Sequence, residues 1–434
     1  MSLFNSMRTV VLYMQIIFVI QLTQHRVFGL TKDEKNYPEI FCNRIFSPDI
    51  HTVLLHSATW ELSPPVIEAG SEQKLELHFD DFSGHVRTFG YTLVHCTADW
   101  HTSNLSPAEY LSGYGQGVIR ESFSSLNTMR DYIHYRLIFP EEECMPAKSG
   151  NYALVVYDDE DPSKILFTRR LYVTEKTVQL TGRVKQPPPG EFRETGQQLD
   201  FTLSYDSRLI PDPLTDITIK IMQNNRDDRT VMLGKPSLIK PGQLEYFDHP
   251  DALFTGGNEF RSLDIKSMKY QTENIASIDF QNPYYHVFLK TDEDRKNKPY
   301  FSKTDFNGGY YIDREKSTDK HTEADYIYVH FSFAPSIVCS EEEVFVTGGF
   351  SEWCAQEWNQ MKLNSAGNCF EAVLLLKQGL YDYCYALKDT RTGLLDSGVF
   401  EGNHYETANE YAIAVYLHDS HSQYDRMAGY FPMK

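Results

Sequence analysis

The chain has 434 residues, 41 Lys and Arg against 60 Asp and Glu, and a formal net charge of −19. That length allows two to four domains at roughly 100–200 residues each. The acidic balance argues against nucleic acid, whose recognition needs clustered Lys and Arg. The 28 Tyr and 27 Phe suit half-buried strands and do not suit a disordered chain.

Residues 1–29 hold no Asp or Glu. Val10 to Leu22 is a largely apolar run behind Arg8, shorter than the about 20 residues a membrane span needs. It has the form of the apolar region of a secretory signal peptide, with Val27-Phe28-Gly29 at the cleavage position. An uncleaved N-terminal anchor is the other reading.

Strand signals dominate from there on. Leu75-Glu76-Leu77-His78-Phe79 alternates apolar and polar residues with period two. Asp131 to Phe139, Gly150 to Tyr157 and Leu166 to Val173 are rich in β-branched and aromatic residues, and Asp158 to Pro162 reads as a hairpin loop. Seven or so strands between His51 and Thr174 predict a fibronectin- or immunoglobulin-like sandwich over residues 30–175. Within it, Ser106 is placed to cap a short helical turn at Pro107 to Leu111, with Glu109 at the third position.

A second β domain with longer loops is expected over residues 176–320. Leu199 to Leu203 and Ile217 to Ile221 alternate, and Pro187-Pro188-Pro189 must lie in a loop. Gly256 to Arg261 reads as a turn entering a strand, Tyr284 to Leu289 as a strand, and Asn307-Gly308-Gly309 as a hairpin turn. Asp313 to Glu323 reads as a linker. A third β domain follows over residues 321–434, where Val344 to Trp353 runs into a glycine turn and Gly379 to Leu387 sets three tyrosines on one face. This pair resembles the early-set sandwich that accompanies glycogen- and starch-active enzymes. The fold class is therefore all-β: three tandem β-sandwiches after a signal peptide.

Seven cysteines in an exported chain leave at least one unpaired within a monomer. Cys339, Cys354, Cys369 and Cys384 are spaced 15 residues apart and allow up to two bridges; the other reading is small buried apolar residues.

His95-Cys96-Thr97-Ala98-Asp99-Trp100-His101 concentrates groups that bind metals. On a strand, His95 and Cys96 point to opposite faces, and no second pair at zinc spacing lies downstream. The residues fit Cys96 as a buried apolar group, Trp100 as a core anchor and Asp99 as a turn cap. A metal-dependent hydrolase using His95, Cys96, Asp99 and His101, or a Cys–His pair, is the competing chemistry. Asp80-Asp81 and Asp158 to Asp161 read as solvated loops, against a calcium site or the acids of a glycosidase. Trp353, Trp358, Tyr381, Tyr383 and Tyr385 offer a sugar-stacking platform, against ordinary packing. On that platform rests the alternative function, an exported glycan-binding protein accessory to polysaccharide use. Common hydrolase and nucleotide-binding motifs are missing from the sequence, and no cofactor is expected.

A family resemblance rests on Phe79-Asp80-Asp81-Phe82, His95 to Trp100, Leu105-Ser106-Pro107-Ala108-Glu109-Tyr110-Leu111 and Ser149-Gly150-Asn151-Tyr152. It continues in Thr168-Arg169-Arg170, Gln223-Asn224-Asn225-Arg226, Gly256-Gly257-Asn258-Glu259-Phe260-Arg261 and Leu376 to Tyr383. With these the chain resembles the plug protein of the type IX secretion system, an exported all-β family of Bacteroidetes-type bacteria. Two features depart from the family pattern: Asp227-Asp228 stands where members carry a bulky aromatic, and the cysteines of the last domain are peculiar to this chain. The resemblance implies a non-catalytic periplasmic protein at the inner face of the outer membrane, monomeric when free. It would bind the periplasmic opening of a giant outer-membrane barrel and seal it when no cargo is engaged. It also assigns structural or partner-contact roles to Asp80, Asp81, His95, Cys96, Asp99, Trp100, Ser106, Pro107, Tyr110, Asn225, Arg226, Gly257, Asn258, Glu259 and Arg261. Tyr284, Tyr285, Tyr310 and Tyr311 are candidate interface aromatics, tyrosine being enriched in such roles.

Overall fold

The computed structural model describes residues 41–208, 210–337, 342–419 and 423–434. The signal-peptide reading of residues 1–29 and the role of Cys339 lie outside the described residues. Antiparallel sheets dominate, and every described helix is a single turn of three or four residues. By contacts the chain divides into two compact units, neither continuous in sequence. The first holds residues up to Ser124, Tyr132–Lys176 and Tyr416–Ala428; the second holds Ser125–Asp131, Thr177–Val415 and Gly429–Lys434.

In the first unit, one sheet places Ile165–Thr174, Gly150–Asp158, Phe89–Cys96 and Gln116–Ile119 side by side. A second sheet runs Ile50–Ser57, Leu75–Asp81, Ile133–Phe139 and Glu121–Ser124. Period-two alternation explains how they meet. Leu75, Leu77 and Phe79 from one sheet share a core cluster with Tyr91, Leu93, Tyr152, Leu154 and Val156 from the other. Phe79 stacks on Tyr135 and meets Phe89 and Phe167 edge-on, the offset and T-shaped arrangements that aromatic quadrupoles favour. More strands form than the seven or so expected, because short segments such as Val66–Glu68, Leu111–Gly113 and Cys144–Pro146 also pair. Such three-residue pieces carry too little periodicity to read from sequence.

The second unit is built from pairings distant in sequence. Arg261–Asp264 and Tyr310–Ile312 both pair with Gly379–Lys388, and Tyr284–Leu289 runs parallel to Tyr326–Ala334. Sheets therefore cross the boundary expected near residue 320, and Lys320–Glu323 forms one helical turn there. Asn307-Gly308 is a turn but closes no hairpin, since the strand after it pairs with the remote Gly379–Lys388. Cys369 and Cys384 are buried free thiols, so no bridge joins them.

Candidate functional site

The His95–His101 segment ends a strand that is buried along its whole length. His95 lies opposite Tyr152 and Cys96 opposite Asn151, so the two side chains face opposite ways. His95 packs among Tyr110, Tyr152 and Tyr424, and its Nε2 lies 3.1 Å from the Ser149 carbonyl. Burial pushes its pKa down to about 4, so the ring is neutral and Nε2–H donates. Burial pushes the Cys96 thiol up to about 12, which keeps it protonated. Thr97 to Trp100 is a tight turn in which Trp100 takes the left-handed conformation, φ 66°. Its indole is fully buried, with the Arg170 guanidinium 4.1 Å above the ring and Tyr172 at its edge. Asp99 accepts from Thr97 and pairs with His101 at 3.1 Å, both largely exposed. The structure thus brings Asp99 and His101 together at the surface but turns His95 and Cys96 to opposite faces of a buried strand, so the four candidate ligands do not converge on one point. It also makes Trp100 the anchor expected from sequence.

What the segment does hold is the tip where the strand Tyr424–Met433 begins, beside the strand Tyr411–Asp419. The Ala98 N–H donates to Asp425 Oδ2 at 2.9 Å, Asn151 Nδ2 to the Thr97 carbonyl at 2.9 Å, and the Tyr416 hydroxyl to Asn151 Oδ1 at 2.8 Å. Arg426 grips Glu175, with contacts of 2.6 and 3.2 Å. Ser106 caps Pro107–Tyr110 as expected, its N–H donating to Glu109 Oε2 at 2.7 Å, and the turn presents Tyr110 to His95. Tyr416→Phe leaves the buried Asn151 Oδ1 without this donor and is expected to cost about 1–3 kcal/mol. Faster amide exchange across residues 95–102 and 423–428 would report the loosened tip.

Asp80 and Asp81 correct the solvated-loop reading. Both are fully buried. Asp80 accepts from His134 Nδ1 at 2.7 Å; Asp81 takes Arg87 Nε and NH2 at 2.8 and 2.7 Å and also accepts from Ser83. Charge this deep is found where it is paired. The Asp158 to Asp161 loop is exposed beyond Asp158, as expected.

In the second unit the motif residues form an ionic core. Arg261 reaches Glu401 at 3.0 Å, Asp292 at 2.7 Å and the Glu293 carbonyl at 2.7 Å. Glu401 also holds Arg295 at 2.7 Å. Burial opposes the charge on Arg261, yet Glu401 and Asp292 keep its pKa above the usual range. Burial likewise opposes charge on Glu401, but Arg261 and Arg295 hold its pKa below the usual range. Upstream, Gly257 (φ 66°) accepts from His404 N–H, Asn258 Nδ2 donates to the Glu401 carbonyl, and buried Glu259 accepts from the Tyr300 hydroxyl. Asn225, also left-handed, accepts from the Tyr430 hydroxyl. Arg226 lies 3.7 Å over Trp353 and is held by Asp228 at 2.6 Å. Asp228, one of the two family departures, thus serves this chain as the guanidinium's partner.

The sugar-stacking platform does not form. Tyr381, Tyr383 and Tyr385 do share one face, but it is buried, as is the opposite face with Asp382, Cys384 and Ala386. Tyr383 and Tyr385 both donate to Asp292 Oδ2 at 2.8 Å. Trp353 is packed against Phe260 and Arg226, which leaves Trp358, 44% exposed, without those companions. The period of the tyrosines was readable from sequence; which face met solvent was not. Of the interface aromatics, Tyr310 stacks on Tyr381 and Tyr311 takes the Lys320 ammonium at 3.9 Å. Tyr284 and Tyr285 are half-buried on a hairpin beside exposed Phe280.

Asp382 adds a pH response. Its Oδ2 accepts from Phe306 and Gly308 N–H groups, while its buried Oδ1 has no protein partner. Burial, then Asp305, pushes its pKa up to about 7. With the folded value above the ordinary one of about 3.9, its stabilising effect is complete below that value and is lost as pH rises through about 7. Asp382→Asn is expected to remove a loss on the order of 4 kcal/mol at most. Denaturant midpoints of both proteins at pH 5 and pH 8 check it.

The polar motif residues are thus spent largely on internal bonds, within turns, along sheets and, at Arg261, between sheets, which defines the protein as an all-β scaffold. Residues 50–175 match the family model described as the type 9 secretion system plug protein 1st domain. The crystal structure of a hypothetical protein from Parabacteroides merdae ATCC 43184 is similar throughout, at 33% identity and a TM-score of 0.85. The match covers 91% of this chain and 99% of that one. Nothing among curated proteins matches the chain. The chain belongs to the type IX secretion system plug protein family. It is a component associated with type IX secretion and the cell envelope. Among the described residues no helix is long and apolar enough to cross a membrane.

Proposed function

We propose that the protein is the plug subunit of the type IX translocon. It binds the periplasmic opening of the giant outer-membrane barrel and seals it when no cargo is engaged. In this reading the chain is exported by its N-terminal segment, its signal peptide is cleaved, and it acts without catalysis. The family match over residues 50–175 carries the proposal. It is supported by the motif residues, whose polar groups cross-link the scaffold, as befits a part that fills an opening by shape. The hairpin Ile275–Gln281/Tyr284–Leu289 is offered as a contact element, because Phe280 is 52% exposed beside half-buried Tyr284 and Tyr285. Exposed aromatic anchors of this kind dominate many interfaces.

Deleting the gene in cells that also lack other gate-associated subunits is expected to raise outer-membrane permeability to antibiotics and dyes. Intact permeability in that background would remove the sealing role. Phe280→Ser with Tyr285→Ser is expected to leave folding intact and weaken capture of the barrel about 10-fold or more, the loss typical of a hot spot.

A further inference from the structure

We infer that His286 and His330 form a two-imidazole site for a divalent late transition metal, with copper(II) and nickel(II) favoured over zinc. The site lies on the outer face of the sheet formed by Ile275–Gln281, Tyr284–Leu289, Tyr326–Ala334 and Cys369–Lys377. The inner face of that sheet is closed by Val287, Val329, Phe331 and Leu374, all buried. Period two therefore turns His286 and His330 outward, where both are half-buried. Parallel register sets His286 beside Tyr328 and Phe288 beside His330, so the two histidines are diagonal neighbours.

Their facing nitrogens, His286 Nδ1 and His330 Nε2, are 2.8 Å apart. Each ring is held by an aromatic from the adjacent strand. His286 stacks on Tyr328 at 5.0 Å with 21° between planes, and His330 stacks on Phe288 at 4.1 Å with 18°. Donors backed by aromatic packing on paired strands are what a metal site requires.

The pair suits late transition metals. With metal–nitrogen bonds of about 2.0–2.1 Å, nitrogens kept near their present 2.8 Å subtend roughly 85–90° at an ion, the angle between adjacent ligands in square-planar or octahedral geometry. Copper(II) and nickel(II) take the square arrangement and also stand high in the divalent affinity order. Carboxylates flank the pair: Asp279 is the cross-strand partner of His286, and Glu371 lies one diagonal step from His330, whose own partner is Val373. Glu371 acts electrostatically on the His330 ring. On binding, the ring that now donates across the pair shifts its proton to its other nitrogen and the rings tilt off the line between them, so both lone pairs converge on the ion and no co-reactant is needed. The first unit holds a contrasting pair, His78 and His134 at 3.1 Å, which is buried and already engaged with Glu76 and Asp80.

The test is calorimetric titration of the untagged mature chain with copper(II), nickel(II) and zinc(II) chlorides, together with electron paramagnetic resonance of the copper(II) form. The expected result is one copper(II) per chain with two-nitrogen coupling, affinity falling from copper to nickel to zinc. His286→Gln and His330→Gln are each expected to weaken copper binding at least about 10-fold, since even residues that merely support metal ligands cost 10–100-fold. Unchanged copper affinity in both variants, or zinc binding tighter than copper, overturns the assignment. Because no barrel is present in the assay, this site stands or falls separately from the plug reading.

Discussion

Replacing Arg261 by Met is expected to cost the second unit about 3–5 kcal/mol at neutral pH, the usual penalty for leaving one partner of a buried pair unpaired. Arg261 is 8% exposed and binds Glu401, Asp292 and the Glu293 carbonyl together. The variant keeps the stem's volume and removes the guanidinium. Glu401, 3% exposed, then retains only Arg295 among its two arginine partners. The pH dependence identifies the cause. In the parent, the Glu401 pKa is held down, so its stabilisation is present above the ordinary value of about 4.3 and is lost as pH falls through the lower folded value. In the variant, burial is left less opposed and raises the pKa, so the deficit is largest above about pH 5 and narrows in acid. Guanidinium unfolding curves of both proteins at pH 4.5 and pH 7.5 check it. An equal deficit at both pH values would point to lost packing instead.

Trp100→Ala is expected to be comparably damaging to the first unit, at about 3–5 kcal/mol. The indole is fully buried between Arg170 and Tyr172, so its loss opens a cavity and removes the cation–π contact. Backbone geometry permits a finer comparison. Trp100 sits at φ 66°, where a Cβ costs roughly 1–2 kcal/mol. Trp100→Gly creates a slightly larger void but relieves that cost, so it is expected to be no worse than Trp100→Ala. Thermal unfolding of the three proteins measures both. A glycine variant clearly less stable than the alanine one would mean that packing alone governs this turn.

The strands of the first unit were legible because their alternation is local. Leu75 to Phe79 announces its period and its buried face, and Gly150 to Tyr157 announces a strand through its β-branched and aromatic residues, all of them buried. The Ser106–Glu109 cap was legible for the same reason. What sequence could not show is partnership across distance. Asp425 reaches Ala98 over a separation of 327 residues, and Glu401 reaches Arg261 over 140. Asp80-Asp81 looked like a loop because nothing nearby announces His134, 54 residues away, and because Arg87, though close in sequence, carries no pattern that marks it as the partner of Asp81. Tyr381, Tyr383 and Tyr385 gave their common face, but it is Phe331 and Phe333 from another sheet that cover Tyr383 and Tyr385. His286 and His330 become neighbours only through a parallel pairing, which no local spacing encodes. The His95–His101 segment was informative through its sequence context, and its chemistry is that of a clasp.

That clasp, the ionic core around Arg261 and the family match describe a scaffold made to hold its shape against a partner. The most direct test is isolation of the native protein from its own cells in mild detergent, with mass-spectrometric identification of what accompanies it. The account predicts a giant outer-membrane barrel subunit in near-equal amount, lost when the translocon is occupied by cargo. Recovery of the protein alone, from cells that contain an unoccupied barrel, would contradict it.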